Sequence, residues 1–151
     1  MAVIDFFDRG WGLDPSATAY IQDDRHFSFD TVGRLSCRMA HKLLSLGLPK
    51  GTKGAVWSGN DVGAWTCTLG LWRANMTWIP VNARSSAADN ERMLDAFDCE
   101  LLFFQSALAP VVEPLRSRLP KVRHWICIDA DLPDAPAVAT WCADQPDTRP
   151  D

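Results

Sequence analysis

The chain lacks most of the features that announce a function directly. Its three histidines, His26, His41 and His124, lie far apart, and none has a partner at metal-ligand spacing. Five cysteines (Cys37, Cys67, Cys99, Cys127, Cys142) form no C-x-x-C pair, and an odd, scattered set suits neither zinc nor a secreted disulfide framework. There is no cationic excess: the formal charge is −4, which disfavours non-specific binding to nucleic acid. No apolar run approaches the ~18 residues of a membrane span, and Asp5 and Asp8 stand where a signal peptide needs a basic flank. The expected compartment is a reducing cytosol.

Motifs of catalysis are equally scarce. The glycines at 47, 51, 54 and 59 fit neither G-x-G-x-x-G nor G-x-x-x-x-G-K-[ST], so the stretch reads as a plain turn between helix and strand. Ser58 has Val56 and Asn60 where a nucleophile elbow needs glycines. Asp89, Glu91, Asp95 and Asp98, with Arg92 among them, read as the water-facing side of a helix. Catalytic residues, cofactor-binding residues and metal ligands are all expected to be absent from this chain.

What is present is globular material: 151 residues, 47% apolar and 23% charged. At this length folding can bury roughly 68–70% of the unfolded surface, enough for a core without staples. The spacing of Val3, Phe6 and Phe7 predicts an opening helix from Val3 to Arg9, ended by Gly10 and Gly12. Ala19–Gln22 and His26–Ser28 read as a β-hairpin. Val32, Leu35, Met39, Ala40, Leu43 and Leu44 recur at three and four, predicting a helix over 29–46 with Gly47 as its stop.

From there a pattern repeats. Strands are expected at Ala55–Trp57, Thr77–Val81, Leu101–Phe104 and Trp125–Ile128. Between them come helices from Asp61, capped by Asn60 and facing inward with Val62, Trp65, Leu69 and Trp72, then over Ala87–Phe97 and over Leu108–Leu119. Short apolar strands alternating with helices imply an α/β fold, doubly wound, with a mainly parallel sheet and helices on both faces. Trp57, Trp78 and Trp125 lie in those strands and read as core. Residues 1–128 are expected to form one α/β unit. Residues 129–151 hold six acids against Arg149 alone, together with Pro133, Pro136, Pro146 and Pro150, and read as an extended segment or linker.

The order of these segments resembles the N-terminal part of the acyl-adenylate-forming superfamily, the acyl-CoA synthetases and their relatives. Phe27-Ser28-Phe29-Asp30-Thr31-Val32 is similar to the family's first motif, with Ser28 as helix cap and Thr31 in place of the usual Glu. Leu46 to Val56 resembles the family's glycine turn and following strand, with Thr52 and Gly54 departing from it. Leu69-Gly70-Leu71-Trp72-Arg73-Ala74-Asn75-Met76-Thr77-Trp78-Ile79-Pro80-Val81-Asn82 is similar to the family's L-G-x-x-x-A-G-A-x-x-V-P-[LV]-N. Here Asn75 replaces a helix-ending Gly, a position that needs the left-handed conformation, and Ala83 replaces a Pro.

The resemblance implies a two-step reaction in a longer parent: ATP, Mg²⁺ and a carboxylic, fatty-type acid give an acyl-adenylate, and coenzyme A then takes the acyl group. The family's phosphate loop follows a segment like Pro146–Asp151, so the chain is expected to be an N-terminal fragment, inactive by itself and prone to self-association. Its partner would then be the rest of its own polypeptide. Two other readings stay open. One is a natural stand-alone, non-catalytic binding or scaffold domain. The other is a doubly wound domain binding a small ligand where Ser58-Gly59-Asn60, Val81-Asn82-Ala83 and Gln105-Ser106 line the crevice at the strand ends.

Overall fold

The computed structural model describes residues 1–151. Helix α1 spans Ile4–Leu13, and strands β1 (Thr18–Gln22) and β2 (Arg25–Ser28) pair antiparallel. Helix α2 (Phe29–Ser45), β3 (Lys53–Ser58), α3 (Val62–Arg73), β4 (Thr77–Asn82), α4 (Ala87–Ala96) and β5 (Leu101–Phe104) follow. A short helix α5 (Ala109–Val112) between two 3-10 turns, β6 (His124–Cys127) and α6 (Val138–Trp141) complete the chain. The sheet is parallel, in the order β4-β3-β5-β6. The fold is α/β with helices on both faces, as the alternation of segments predicts.

Strand periodicity sorts the side chains between two cores of fifteen buried residues each. Val56, Leu101, Phe103 and Ile126 face α2, α3 and α6, where Met39, Leu43, Cys67, Leu71 and Val138 meet them. Their neighbours Ala55, Trp57, Leu102, Phe104 and Trp125 face the opposite way, against Leu94, Val112, Leu115 and Leu119. Because both faces are covered there, the central strands β3 and β5 are buried continuously, whereas the edge strand β4 alternates. Helix α3 is accordingly buried on two sides. Its predicted face of Val62, Trp65, Leu69 and Trp72 meets α1 and the hairpin, while Ala64, Cys67 and Leu71 enter the sheet core.

Local chemistry sets most boundaries. Ser28 Oγ accepts the Thr31 amide at 3.1 Å, and the Thr31 hydroxyl meets the Ser28 hydroxyl instead of returning to the backbone as Glu would. Asp23 and Asp24 turn the hairpin with φ of 50° and 62°, the pair of left-handed residues a two-residue turn demands. Asn75 ends α3 at φ 57°, confirming that it takes the left-handed position. A Cβ on Gly70 would lie 2.9 Å from Met39 Cβ, so this glycine is what lets α2 and α3 pack so closely.

Several expectations need correction. Helix α1 runs through Gly10 and Gly12 to Leu13, because a Cβ at Gly10 would strike the Phe29 ring at 2.7 Å, and that packing outweighs a propensity cost of about 1 kcal/mol. Its inward residues are Ile4 and Phe7, whereas Val3 and Phe6 are exposed. The cap of α3 is Asp61, not Asn60: Asp61 Oδ1 accepts the Ala64 amide at 3.0 Å. The single helix expected over 108–119 is broken into short turns, since Pro110 and Pro114 lack the amides that would continue it. The acidic segment contributes α6 and buries Ala135, Ala137, Val138 and Cys142.

Candidate functional site

At the C-terminal ends of β3 and β4 a cavity of about 470 Å³ opens between the sheet, the start of α3 and the hairpin. This is the end of a doubly wound sheet at which ligands characteristically bind. The glycine-bearing stretch 47–54 leads into the first residues of β3 and so lies at the opposite end of that strand. Ser58, Gly59, Asn60 and Val81 line the cavity, as the crevice reading anticipates. Gln105 braces it from the next strand, its Oε1 accepting the Gly59 amide at 3.1 Å. Asn82, Ala83 and Ser106 do not line it: Asn82 Oδ1 accepts the Arg84 amide at 2.9 Å, and Ser106 donates to Asp129.

The hairpin side of the site was not visible in the sequence. Gln22 clamps the start of α3, its Oε1 accepting the Val62 amide at 2.7 Å and its Nε2 donating to Asp61 Oδ2 at 3.1 Å. Tyr20 accepts a hydrogen bond from the Trp65 indole. Burial raises the Tyr20 phenol, against the opposing pull of that hydrogen bond, so the ring stays neutral at physiological pH. Nothing in the spacing of the hairpin announces these contacts, because they join residues 40 and 45 positions apart.

One wall is aromatic. Trp65 and Trp78 line the cavity, and with Trp72, outside the lining, they meet edge to face, with centroids 5.5 to 6.2 Å apart. The Trp78 indole nitrogen is buried without a hydrogen-bond partner, so ring faces are its available acceptors. Asp61 is the one charged residue lining the cavity, and both of its oxygens are engaged. With no Lys or Arg in the lining, the site offers nothing to neutralise a phosphate or a carboxylate. It fits an uncharged, largely apolar group.

Groups outside the cavity are committed elsewhere. All five cysteines are buried free thiols. Burial pushes Cys99 up to about 12 and Cys67 well above its ordinary value, the reverse of what a nucleophile needs. His26 hydrogen-bonds to Thr18 at 3.1 Å and His41 to the Thr148 carbonyl at 2.9 Å. On α4, Glu91 pairs with Arg118 at 3.3 Å, Asp89 with Arg92, and Asp95 with Lys121 at 3.0 Å; Asp98, just beyond the helix, also meets Lys121 at 3.0 Å. No three metal-ligating side chains converge, and no helix is long and apolar enough to cross a membrane.

Comparison with known proteins supplies the class that this site does not. Residues 7–151 match the AMP-binding enzyme family, and the chain belongs to it, corresponding to an N-terminal portion of its members. It is 26% identical over 108 residues to the fatty acid–[acyl-carrier-protein] ligase ScoC of Streptomyces coeruleorubidus, covering 72% of this chain and 21% of ScoC. Its fold is that of the anthranilate CoA ligase AuaEII, with TM-score 0.88 and 20% identity over 98% of this chain and 28% of AuaEII. It matches equally the N-terminal domain of FACL13 from Mycobacterium tuberculosis, with TM-score 0.85 and 21% identity over all of this chain and 38% of that domain. ScoC and AuaEII are both named as ligases, and the chain spans about a fifth of ScoC's length.

Proposed function

We propose that the chain serves as the N-terminal α/β unit of an acid–CoA or acid–carrier-protein ligase. The observation that carries this reading is the family match over residues 7–151, nearly the whole chain. In such a ligase ATP and Mg²⁺ activate a carboxylic acid, fatty or aryl, to an acyl-adenylate, and a thiol then accepts the acyl group. No residue among these 151 is assigned a catalytic, nucleotide-binding or metal-binding role. In-line attack needs both reactants held in place and charge stabilised at the phosphorus, and neither is available from the side chains described. The unit's partner is the remainder of a longer polypeptide, and its compartment the cytoplasm.

The test is carboxylate-dependent ATP–pyrophosphate exchange, alongside the intact mass of the native gene product. Exchange is expected from a product several hundred residues longer and absent from the 151-residue chain. Exchange by the chain alone would overturn the assignment of chemistry to other segments. Light scattering adds a second check: self-association is expected as concentration rises, and a strict monomer counts against it.

The cavity favours a second reading, a non-catalytic module holding a small uncharged ligand. Titration with indole, followed by calorimetry, tests it. Saturable heat that Trp78→Phe alters would support it, and no saturation would remove it.

A further inference from the structure

Residues 129–151 are fastened in two different ways. As far as Cys142 the chain is anchored by burial: Ala135, Ala137, Val138 and Cys142 are buried, and Trp141 packs edge-on against Phe103 at 5.9 Å. Asp131 reinforces this stretch, accepting the Ala137 amide and the Thr140 hydroxyl, both at 2.9 Å. Beyond Cys142 no residue is buried.

The fastenings of residues 143–151 to the helices are polar. Arg38 donates to the Ala143 carbonyl at 3.4 Å, and Asp147 sits between Arg34 at 3.2 Å and Arg38 at 3.6 Å. The His41 ring donates to the Thr148 carbonyl at 2.9 Å. Arg149 reaches back to α1, 3.4 Å from the Asp8 carboxylate and 3.3 Å from its carbonyl, with its guanidinium 5.1 Å from the Trp11 ring centroid. The seat on α1 exists without Arg149. Arg73 holds both oxygens of Asp8, at 2.6 and 2.9 Å, and lies 5.7 Å from the same Trp11 ring.

We propose that residues 143–151 form a strap, fastened across α2 onto α1 by exposed ion pairs and hydrogen bonds, which detaches while the rest of the molecule stays folded. Exposed ion pairs are individually weak and are screened by salt, whereas the apolar anchor at α6 is not. The segment holds no buried side chain of its own, so its opening belongs to the local rather than the global class of unfolding events. Detachment leaves Arg34 and Arg38 without Asp147 but leaves Asp8 paired with Arg73.

The experiment is ¹⁵N relaxation on the full 151-residue chain. At low salt the amides of Asp147, Thr148 and Arg149 should have order parameters near the rigid value of about 0.85. In about 1 M salt, or in Arg149→Ala at low salt, they should fall below about 0.6 while α2 and the sheet stay rigid. Arg149→Lys, which keeps the charge but loses the planar contact with Trp11, should lie between. Three results would overturn the strap: mobility already at low salt, rigidity that survives both salt and Arg149→Ala, or loosening of α2 and the sheet together with the segment.

Discussion

The sheet and the layer above it are held together by different physics. In the sheet, Leu101, Leu102, Phe103 and Phe104 are wholly buried, and each strand feeds two cores at once. In the layer formed by α1, the hairpin and the outer side of α3, the apolar core is only Ile4, Phe7 and Leu69, joined by Val32 of α2, among half-buried aromatics. Directional contacts supply what area does not: Asp8 with Arg73, Gln22 with Asp61 and Val62, Tyr20 with Trp65. Apolar burial is roughly proportional to area and tolerant of detail, whereas a polar clamp fails when a single atom is removed. The candidate cavity lies on the boundary between these two regimes.

The largest effect should come from the sheet. Phe103→Ala should cost about 3–5 kcal/mol, read as a lower urea midpoint at unchanged slope, because it empties a fully buried site packed on both sides along its strand. A cost near zero would mean that the two cores are not independent walls but one adaptable interior. Next is Arg73, whose side chain is 4% exposed beside an Asp8 that is 16% exposed. Arg73→Met should cost about 3 kcal/mol, since it leaves the Asp8 carboxylate short of its bidentate partner and also frees Ser36 Oγ, now 3.1 Å from Arg73. The paired change Asp8→Ala with Arg73→Met should be less destabilised than Arg73→Met alone. If the double change is worse, the ion pair contributes more than the penalty of breaking it.

The same contrast decides what the sequence could reveal. Strands and helices of the sheet are legible because period and composition are local: Leu101–Phe104 can only be a covered strand, and Ser28, Asn75 and the paired aspartates of the hairpin announce their own geometry. The outer layer is legible only in outline. Nothing in Gly10 says that it must let Phe29 approach, so the helix was expected to stop there. Asn60 and Asp61 are equally good caps on paper; the choice of Asp61 comes with Gln22, which reaches it across 39 positions. For the site, Ser58–Asn60 and Val81 could be placed at the crevice from strand order alone, while Tyr20, Gln22 and the tryptophan wall required the hairpin to be docked. Proline punctuation was also available: Pro110 and Pro114 mark the breaks in the segment 106–115, but the apolar stripe of Leu108, Val111, Val112, Leu115 and Leu119 masked them, although Val111 is exposed.

Gln22→Ala sharpens the comparison from the polar side. Its loss leaves the Val62 amide without an acceptor and Asp61 Oδ2 without its donor, at a cost of about 1 kcal/mol. The distinctive reading is local: hydrogen exchange at Val62 should accelerate while amides of β3 and β5 keep their protection. Slowing or no change at Val62 would mean that the hairpin is held by its aromatics instead.

The smallest expected effect separates the two regimes by pH. His124, at the start of β6, is partly buried, and desolvation, aided by Arg123 and opposed by Glu100, lowers its pKa below the ordinary 6.5. A depressed histidine is neutral in the fold when the unfolded chain has already begun to take up its proton. Its contribution to stability is thus complete above about pH 6.5 and is lost as pH falls from there through the folded value. Carboxylates act lower. Asp129 pays for its burial but is lowered by hydrogen bonds from the Ser106 amide and hydroxyl, so its contribution is lost only below the ordinary 3.8. Melting temperature against pH should therefore fall in two separate steps, and His124→Gln should remove the upper one alone. A single step that persists in His124→Gln would place the neutral-range sensitivity elsewhere, with the polar contacts of the outer layer as the first place to look.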